Sequence, residues 1–279
     1  MRPPAGTGGS GSTRPSRVRQ VGCGHNRPRN SRPRGRRAYR GRASPGSFCV
    51  VVAAGGDGTL HEVLNGLGPD APPLAILPLG TANVLAAEIG LPPSLEGVVA
   101  IIAAGHTRAF WPGTVNGRRF ALMAGIGFDA EVVAAVSARW KRHFGRYAYV
   151  AEVMAVLARG SPRSYRLEAD GCGFDATAVV VTRSRFYGGP FLLAPNASLF
   201  APELHLCMAR GGRRRDYLRY AASLVRGRLP DQPDVAILVA RRIEISGPVG
   251  APIQCDGNLV GRLPAVIAVS DRPVPLVVP

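Results

Sequence analysis

Apolar positions along the chain fall into two regimes. In the first, short unbroken apolar runs alternate with segments of helical spacing. FCVVVAA, Phe48 to Ala54, is apolar, β-branched at its centre and ended by glycine, which predicts a buried strand. TLHEVLNG, Thr59 to Gly66, puts Leu60, Val63, Leu64 and Leu67 on one face, so a helix is predicted from about Thr59. A second buried strand is predicted over Leu74 to Leu77. TANVLAAEIGL then reads as a second helix, with Thr81 as its N-cap and Gly90 closing it. A third helix is predicted over Ser94 to Ala104. Strand, loop and helix repeated twice in so short a span predict a parallel α/β layer.

From about Thr107 the pattern changes. RAFWPGTVNGRRFALMAGIGF reads as a hairpin with Asn116-Gly117 at its turn. A helical stretch, Ala130 to Leu157, interrupts. SYRLEADG, FDATAVVVTRS, ELHLCMARG, AILVARRIEIS, APIQCDGN and PAVIAVS follow. They are short, partly alternating and parted by Gly and Pro, as in an antiparallel sandwich. The predicted fold class is α/β plus all-β: an α/β nucleotide-binding domain over residues 49–108, then a mainly β domain over 109–279, with a cleft between them.

Charge changes the picture at one end only. The net charge is +17, but residues 1–48 hold 12 arginines and no Asp, Glu or Lys, which leaves +5 for the rest. That segment of Arg, Gly, Pro and Ser cannot bury enough apolar surface to offset its ordering entropy, so disorder is predicted there. As function it reads as a nucleic-acid arm, a lipid tether, a transit peptide, or sequence foreign to the domain. The ordinary charge of the remainder argues against nucleic acid as the partner. No apolar run approaches the length that spans a bilayer, and no apolar region follows the basic start. A cytoplasmic protein, peripheral at the membrane at most, is expected. The five cysteines form no CxxC, and His25, His61, His106, His143 and His205 show no ligand spacing, so thiolate or histidine metal chemistry is not supported. Trp140, Lys141, Arg142, Tyr147 and Tyr149 read as packing residues of a helix or as a basic, aromatic face toward lipid.

The candidate chemistry sits at AGGDGT, Ala54 to Thr59. Without Cβ atoms, Gly55, Gly56 and Gly58 let backbone N–H groups approach a phosphate, and the next helix points its positive end at the same place. No GK[ST] follows, so this is not a Walker A loop, and it is not GxGxxG. Asp57 reads as a holder of Mg²⁺ or a proton acceptor. The plainer alternative is a tight turn in which Asp57 caps the next helix.

GGDGTLHEVLNGL followed by LAILPLGTANVLAAEIGLP resembles the diacylglycerol kinase catalytic family, which includes the bacterial YegS-like and sphingosine kinases. GIGFDAEV, KRHFGRYAYV, YGGPFLLAPNASL and IQCDGNLVGRLP extend the resemblance over about residues 49–279. It implies a lipid kinase that moves the γ-phosphoryl of ATP to a lipid hydroxyl with Mg²⁺. By resemblance, Gly55, Gly56, Asp57, Gly58 and Thr59 cradle the phosphates, with Leu60 and His61 beside them, and Gly80 and Thr81 form a second phosphate loop. Glu62 and Asn65 orient the loop or line the cleft, or equally stand on the surface of a helix, and Asn83 lies in the cleft next to the second loop. Asp256 and Gly257 match a late DGE motif that brings a carboxylate to the cleft.

Departures qualify what carries over. The DGE glutamate is Asn258, and an amide takes no proton at neutral pH. Ala201-Pro202 replace a DG pair that helps hold a structural Mg²⁺ in bacterial members. Val84 replaces the aspartate of GTGND, which leaves the substrate's identity open. Two strand–helix units are expected before GGDGT, and the arginine-rich segment stands there instead. Residues 1–48 are therefore read as foreign to a kinase N-terminus, with weak ATP binding and aggregation expected. The rival readings are a soluble-substrate kinase akin to NAD kinases and a binding relic without catalysis.

Overall fold

The computed structural model describes residues 49–135 and 163–279. Residues 1–48, the part of the predicted helix beyond 135, and Trp140 to Tyr149 lie outside the described residues. The first layer is a four-stranded sheet of β1 (Val51–Gly55), β2 (Leu74–Pro78), β18 (Val274–Val277) and β3 (Thr107–Phe110), in that order. β1 and β2 pair in parallel, as the repeated strand–loop–helix pattern predicts. β18 joins β2 in parallel and β3 antiparallel, so a strand distant in sequence completes the first layer. Three helices accompany the sheet: α1 (Asp57–Gly66), α2 (Val84–Glu88) and α3 (Leu95–Ala104). Leu60 and Leu64 of α1 and Leu85 of α2 pack with Leu74, Ile76, Phe110 and Leu276 in one buried cluster.

Two helix starts differ from the sequence expectation. α1 begins at Asp57 rather than Thr59, because Gly58 is accommodated in its first turn. α2 is capped by Asn83, which has a left-handed backbone (φ 47°), and not by Thr81, which is exposed. α3 follows expectation: the Ser94 hydroxyl accepts from Gly97 N–H at 3.3 Å.

The remaining strands build a sandwich of two six-stranded sheets. One holds β5 (Arg118–Phe120), β4 (Gly113–Val115), β17 (Ala265–Val269), β14 (Arg242–Ser246), β7 (Tyr165–Ala169) and β8 (Cys172–Ala176), in that order. The other holds β13 (Val235–Ala240), β12 (Leu204–Ala209), β9 (Ala178–Thr182), β6 (Met123–Gly127), β15 (Pro252–Cys255) and β16 (Asn258–Arg262). Alternate side chains of both sheets meet in one core, among them Phe120, Ile126, Leu167, Val179, Val181, Leu204, Leu206, Ile243, Ile253 and Ile267. A short ladder of β10 (Phe186–Tyr187) and β11 (Phe191–Leu192) stands beside them. α4 (Phe128–Ala135) packs on the second sheet, and α5 (Arg214–Val225) packs on β11 and on the cluster of Leu193, Ala194, Ala197 and Cys207.

Two segments that read as single strands are each divided between the sheets. FDATAVVVTRS breaks at Thr177, whose hydroxyl donates to the carbonyls of Ala209 (3.0 Å) and Gly211 (2.7 Å). AILVARRIEIS breaks at Arg241, where the Asp170 carboxylate accepts the N–H groups of Arg241 and Arg242 at 2.9 Å. One-residue corners of this kind preserve the apolar alternation and so leave no mark on it.

The Asn116-Gly117 turn forms as expected, with both residues at positive φ between β4 and β5. It folds the Phe120 ring over Gly113, where a Cβ would meet the ring carbons at 2.0–2.6 Å. Gly113→Ala should therefore lower the unfolding free energy by roughly 1–3 kcal/mol, read from the denaturant midpoint at unchanged slope. An unchanged midpoint would mean that the hairpin shifts freely.

Candidate active site

The end of β1 and the start of α1 place the glycines where a side chain would not fit. Gly55 has φ +157°, and a Cβ there would lie 2.4 Å from Thr59 Oγ1. Leu79 N–H donates to Gly55 O at 3.0 Å, which docks the second loop against the first. The contact continues backbone to backbone, since a Cβ on Gly80 would lie 2.4 Å from Gly56 Cα. Asn83 closes the second loop on itself: its Oδ1 accepts from Gly80 N–H at 3.0 Å and its Nδ2 donates to Gly80 O at 2.7 Å.

Asp57 bridges the two loops. Its carboxylate accepts the N–H groups of Val84 (3.1 Å) and Leu85 (3.5 Å), so it caps α2 from across the sheet end. Asp57 thus does cap a helix, although not the one it begins. Burial, the largest cause, raises its pKa; the two N–H groups oppose this, and the nearby Asp256 charge adds to it. The N–H groups of α2 are committed to Asp57. In the first turn of α1, Gly56 O takes the N–H groups of Thr59 (2.9 Å) and Leu60 (3.1 Å), so those of Asp57 and Gly58 are the ones without an intrahelical acceptor at the helix start.

Asp256 is placed differently. Asp256-Gly257 is the tight turn between β15 and β16, with both residues at positive φ. The Asp256 side chain folds back and is 1% exposed. Its Oδ1 accepts from Leu122 N–H (2.9 Å) and Met123 N–H (3.1 Å), and its Oδ2 from Ala121 N–H (2.8 Å) and His61 Nδ1 (3.2 Å). Arg118 Nε donates to His61 Nε2 at 3.3 Å. A guanidinium only donates, so Nε2 is the acceptor and the ring proton is on Nδ1. The carboxylate joins the sandwich, the β5–β6 link and α1 in one knot. Asn258 follows the turn, and its Nδ2 would lie 3.9 Å from a Cβ on Gly58, in the first turn of α1.

The other residues singled out by sequence fall into two groups. Thr81 is exposed beside Gly80, and Thr59 is turned back under Gly55. Leu60 points into the core, and His61 is fully buried at the domain junction. Glu62 meets Arg118 on the surface at 3.4 Å. Asn65 bolts α1 to β5, exchanging two hydrogen bonds of 2.9 Å with the Arg119 backbone. Arg119 returns its Nη1 to the carbonyls of Leu64 in α1 (3.2 Å) and of Leu67 just past its end (3.0 Å).

Sequence reasoning did not single out the partners of these groups. Arg118 and Arg119 belong to β5, where nothing local marks them as partners of α1. Glu88 of α2 accepts from Ser184 Oγ (2.6 Å) and Arg185 Nε (2.8 Å), a second tie to the sandwich. Asp129, within the quoted GIGFDAEV, is buried and accepts from Tyr187 Oη and from Gln254 Nε2 at 2.6 Å. Burial raises its pKa, and the two donors oppose that. A Cβ on Gly125 would lie 1.6 Å from the Asp129 carboxylate, so the glycine makes its room. Gln254 Oε1 accepts from Gly257 N–H at 2.8 Å, which ties this cluster to the Asp256 turn.

Two metal expectations can be tested on these residues. Asp256 spends both oxygens on four donors, whereas Asp57 keeps lone pairs open beside the α1 N-terminus. Asp57 therefore fits a Mg²⁺ that arrives with phosphates, since such ions use one or two carboxylates and not a full protein cage. The stretch where bacterial members hold a structural Mg²⁺ does not fit one. The fully buried Arg183 guanidinium occupies it, with Nη2 donating to Leu199 O (2.9 Å) and Ala201 O (2.6 Å). Among the described residues no three or more His, Cys, Asp or Glu side chains converge as ligands.

Comparison with known proteins agrees with this fold. The diacylglycerol kinase catalytic domain family matches residues 20–115, and the YegS C-terminal NAD kinase beta sandwich-like domain matches residues 123–278. A diacylglycerol kinase of Bacillus subtilis is 30% identical over 238 residues, 83% of this chain and 78% of that protein. One from Staphylococcus aureus is 28% identical over 228 residues, 80% of this chain and 72% of its own. The crystal structure of a diacylglycerol kinase from Bacillus anthracis superposes with a TM-score of 0.66 at 21% identity, covering 84% of this chain and 79% of that one. The chain belongs to the diacylglycerol kinase family, and its two-domain α/β plus sandwich fold is the family's.

A raised Asp57 pKa means that the folded protein holds this proton more tightly than the unfolded chain. Its ionised form costs stability above the folded pKa. That cost shrinks as pH falls through the folded pKa and is gone below the ordinary aspartate pKa of 3.8. Asp57→Asn keeps an acceptor for Val84 N–H without the buried charge. It should melt no lower than the parent at neutral pH, with any advantage closing in acid. A melting temperature several degrees lower at neutral pH would show that the carboxylate's hydrogen bonds outweigh its burial.

Proposed function

We propose that this member of the diacylglycerol kinase family is an ATP-dependent lipid kinase that transfers the γ-phosphoryl to the hydroxyl of a diacylglycerol- or sphingosine-like lipid. The observation that carries the reading is the pair of glycine loops in backbone contact at Gly56 and Gly80, with Asp57 between them. Backbone N–H groups of the Gly55–Gly58 loop and the positive end of α1 would receive the phosphates, and Gly80 and Thr81 would flank them. The chain's only lysine is Lys141, so phosphate charge falls to these dipoles and to the ion. Mg²⁺, held by Asp57 and the nucleotide, would neutralise charge on the transferring group. The names of the relatives support a lipid alcohol as acceptor.

Asp256 has a positioning role in this reading, because all four of its donors come from the protein. It sets where α1 and Asn258 stand relative to one another. Asn258 sits against the first turn of α1 and orients the acceptor hydroxyl by hydrogen bonding without taking its proton. Phosphoryl transfer depends mainly on positioning and charge stabilisation, so turnover is slow and not abolished.

A γ-labelled ATP assay against diacylglycerol, sphingosine, ceramide and NAD tests the proposal. Label in a lipid extract, foremost in diacylglycerol, is expected. Label on NAD would favour a soluble-substrate kinase, and label nowhere, with ATP still bound, a binding relic. Asn258→Glu should raise kcat by about a hundredfold or more, in the range of general-base contributions. No gain would place the proton acceptor elsewhere.

A further inference from the structure

α5 (Arg214–Val225) presents two chemically distinct faces. Its inner face is anchored: Tyr220 and Ser223 are buried, and Leu224 packs against the cluster of Leu193, Ala194, Ala197 and Cys207. Tyr220 Oη donates to Asp234 and accepts from Gly211 N–H at 2.8 Å, while Arg219 Nη2 meets Asp234 at 2.5 Å. The outer face carries Leu218 and Val225, 48% and 66% exposed. They stand seven residues apart, two turns or about 10 Å along one stripe, with Ala221 and Ala222 between them.

Arginines surround this aliphatic stripe. Residues 210–228 contain seven of them, Arg210, Arg213, Arg214, Arg215, Arg219, Arg226 and Arg228, against one acid, Asp216. Arg219 and Asp216 face one another at 3.6 Å, and Arg219 also holds Asp234. The Arg215 side chain is 74% exposed, and Arg226 and Arg228 are exposed beyond the helix end. α5 lies near α4, since the Glu131 charge on α4 helps raise the pKa of Tyr217, whose Oη donates to Thr177 O at 3.2 Å.

We propose that the outer face of α5 docks this enzyme on an anionic bilayer surface, with Leu218 and Val225 entering the headgroup boundary and Arg215, Arg226 and Arg228 meeting lipid phosphates. Aliphatic residues with guanidiniums at both ends of their stripe match an interface that is apolar inside and negatively charged outside. A nucleic-acid surface uses the arginines but has nothing for the leucine and valine. The inference rests on the lipid-kinase reading, in which the acceptor resides in a membrane. Among the described residues no helix is long and apolar enough to cross one.

The test is co-sedimentation of the full chain with vesicles of phosphatidylcholine alone, or of equal parts phosphatidylcholine and phosphatidylglycerol. Binding only to the anionic vesicles, weakened by salt, is expected. Leu218→Ser with Val225→Ser leaves every charge in place, including those of residues 1–48. It should still weaken partitioning at least about tenfold, from lost apolar burial. In a separate variant, Leu218→Trp should give a blue-shifted tryptophan emission on anionic vesicles.

Unchanged partitioning of the serine variant, or no blue shift, overturns the proposal. So does loss of binding on Arg215→Gln with Arg226→Gln and none on the serine pair, especially if duplex DNA competes with the vesicles. Phosphorylation of a detergent-dispersed diacylglycerol separates the two readings. If the serine variant loses vesicle binding but keeps that activity, both stand. If the parent docks through α5 yet labels no lipid, the kinase reading fails and the docking surface survives.

Discussion

Everything near the candidate site depends on one buried carboxylate. Asp256 sits at the tip of the β15–β16 hairpin and takes four hydrogen bonds from two other parts of the chain. A carboxylate removed from water is destabilising unless its lone pairs are filled, and here both oxygens are filled twice. The three N–H donors are consecutive, Ala121 to Met123, at the passage from one sandwich sheet to the other. The fourth donor is a ring on α1. One charge thereby fixes the seam between the sheets and the helix that carries the glycine loop. Arg118 completes the arrangement by fixing the tautomer of His61.

The second carboxylate of the site has the opposite character. Asp57 is partly satisfied, raised in pKa by burial, and open on one side. Its two N–H partners keep it in place without exhausting it. A fold that leaves one acidic group short of partners where two glycine loops meet accepts a local cost in stability where a ligand would relieve it. Asp129 also has a raised pKa, but Tyr187 and Gln254 serve both its oxygens, and it supports the Asp256 turn from behind.

Much of the frame was legible from local patterns. The alternation of apolar run, glycine loop and helical face placed β1, α1, β2 and α2, and Asn116-Gly117 specified its own turn. Three features were not legible, each for a physical reason. Asp57 caps a helix that starts 27 residues later, a contact that no local capping rule can contain. The Asp256-Gly257 pair was read as a catalytic motif, although the same dipeptide is a strong hairpin signal; both readings rest on one short string. β18 completes the first sheet from the far end of the chain, and its pairing with β2 and β3 is purely non-local. His61, Asn65 and Asn83 were read as loop or cleft residues. Their hydrogen bonds hold backbone in place, an assignment that needs the partner's position and not only its identity.

The central claim is that Asp256 positions and does not itself react. Hydrogen exchange along α1 in Asp256→Ala, followed amide by amide with and without ATP, tests it most directly. The account predicts that Leu60 to Gly66 exchange faster in the variant, together with the amides of Ala121, Leu122 and Met123. ATP should restore part of the protection on α1. If kinase activity is lost while the α1 amides exchange as in the parent, Asp256 acts on the reacting groups and the account is contradicted.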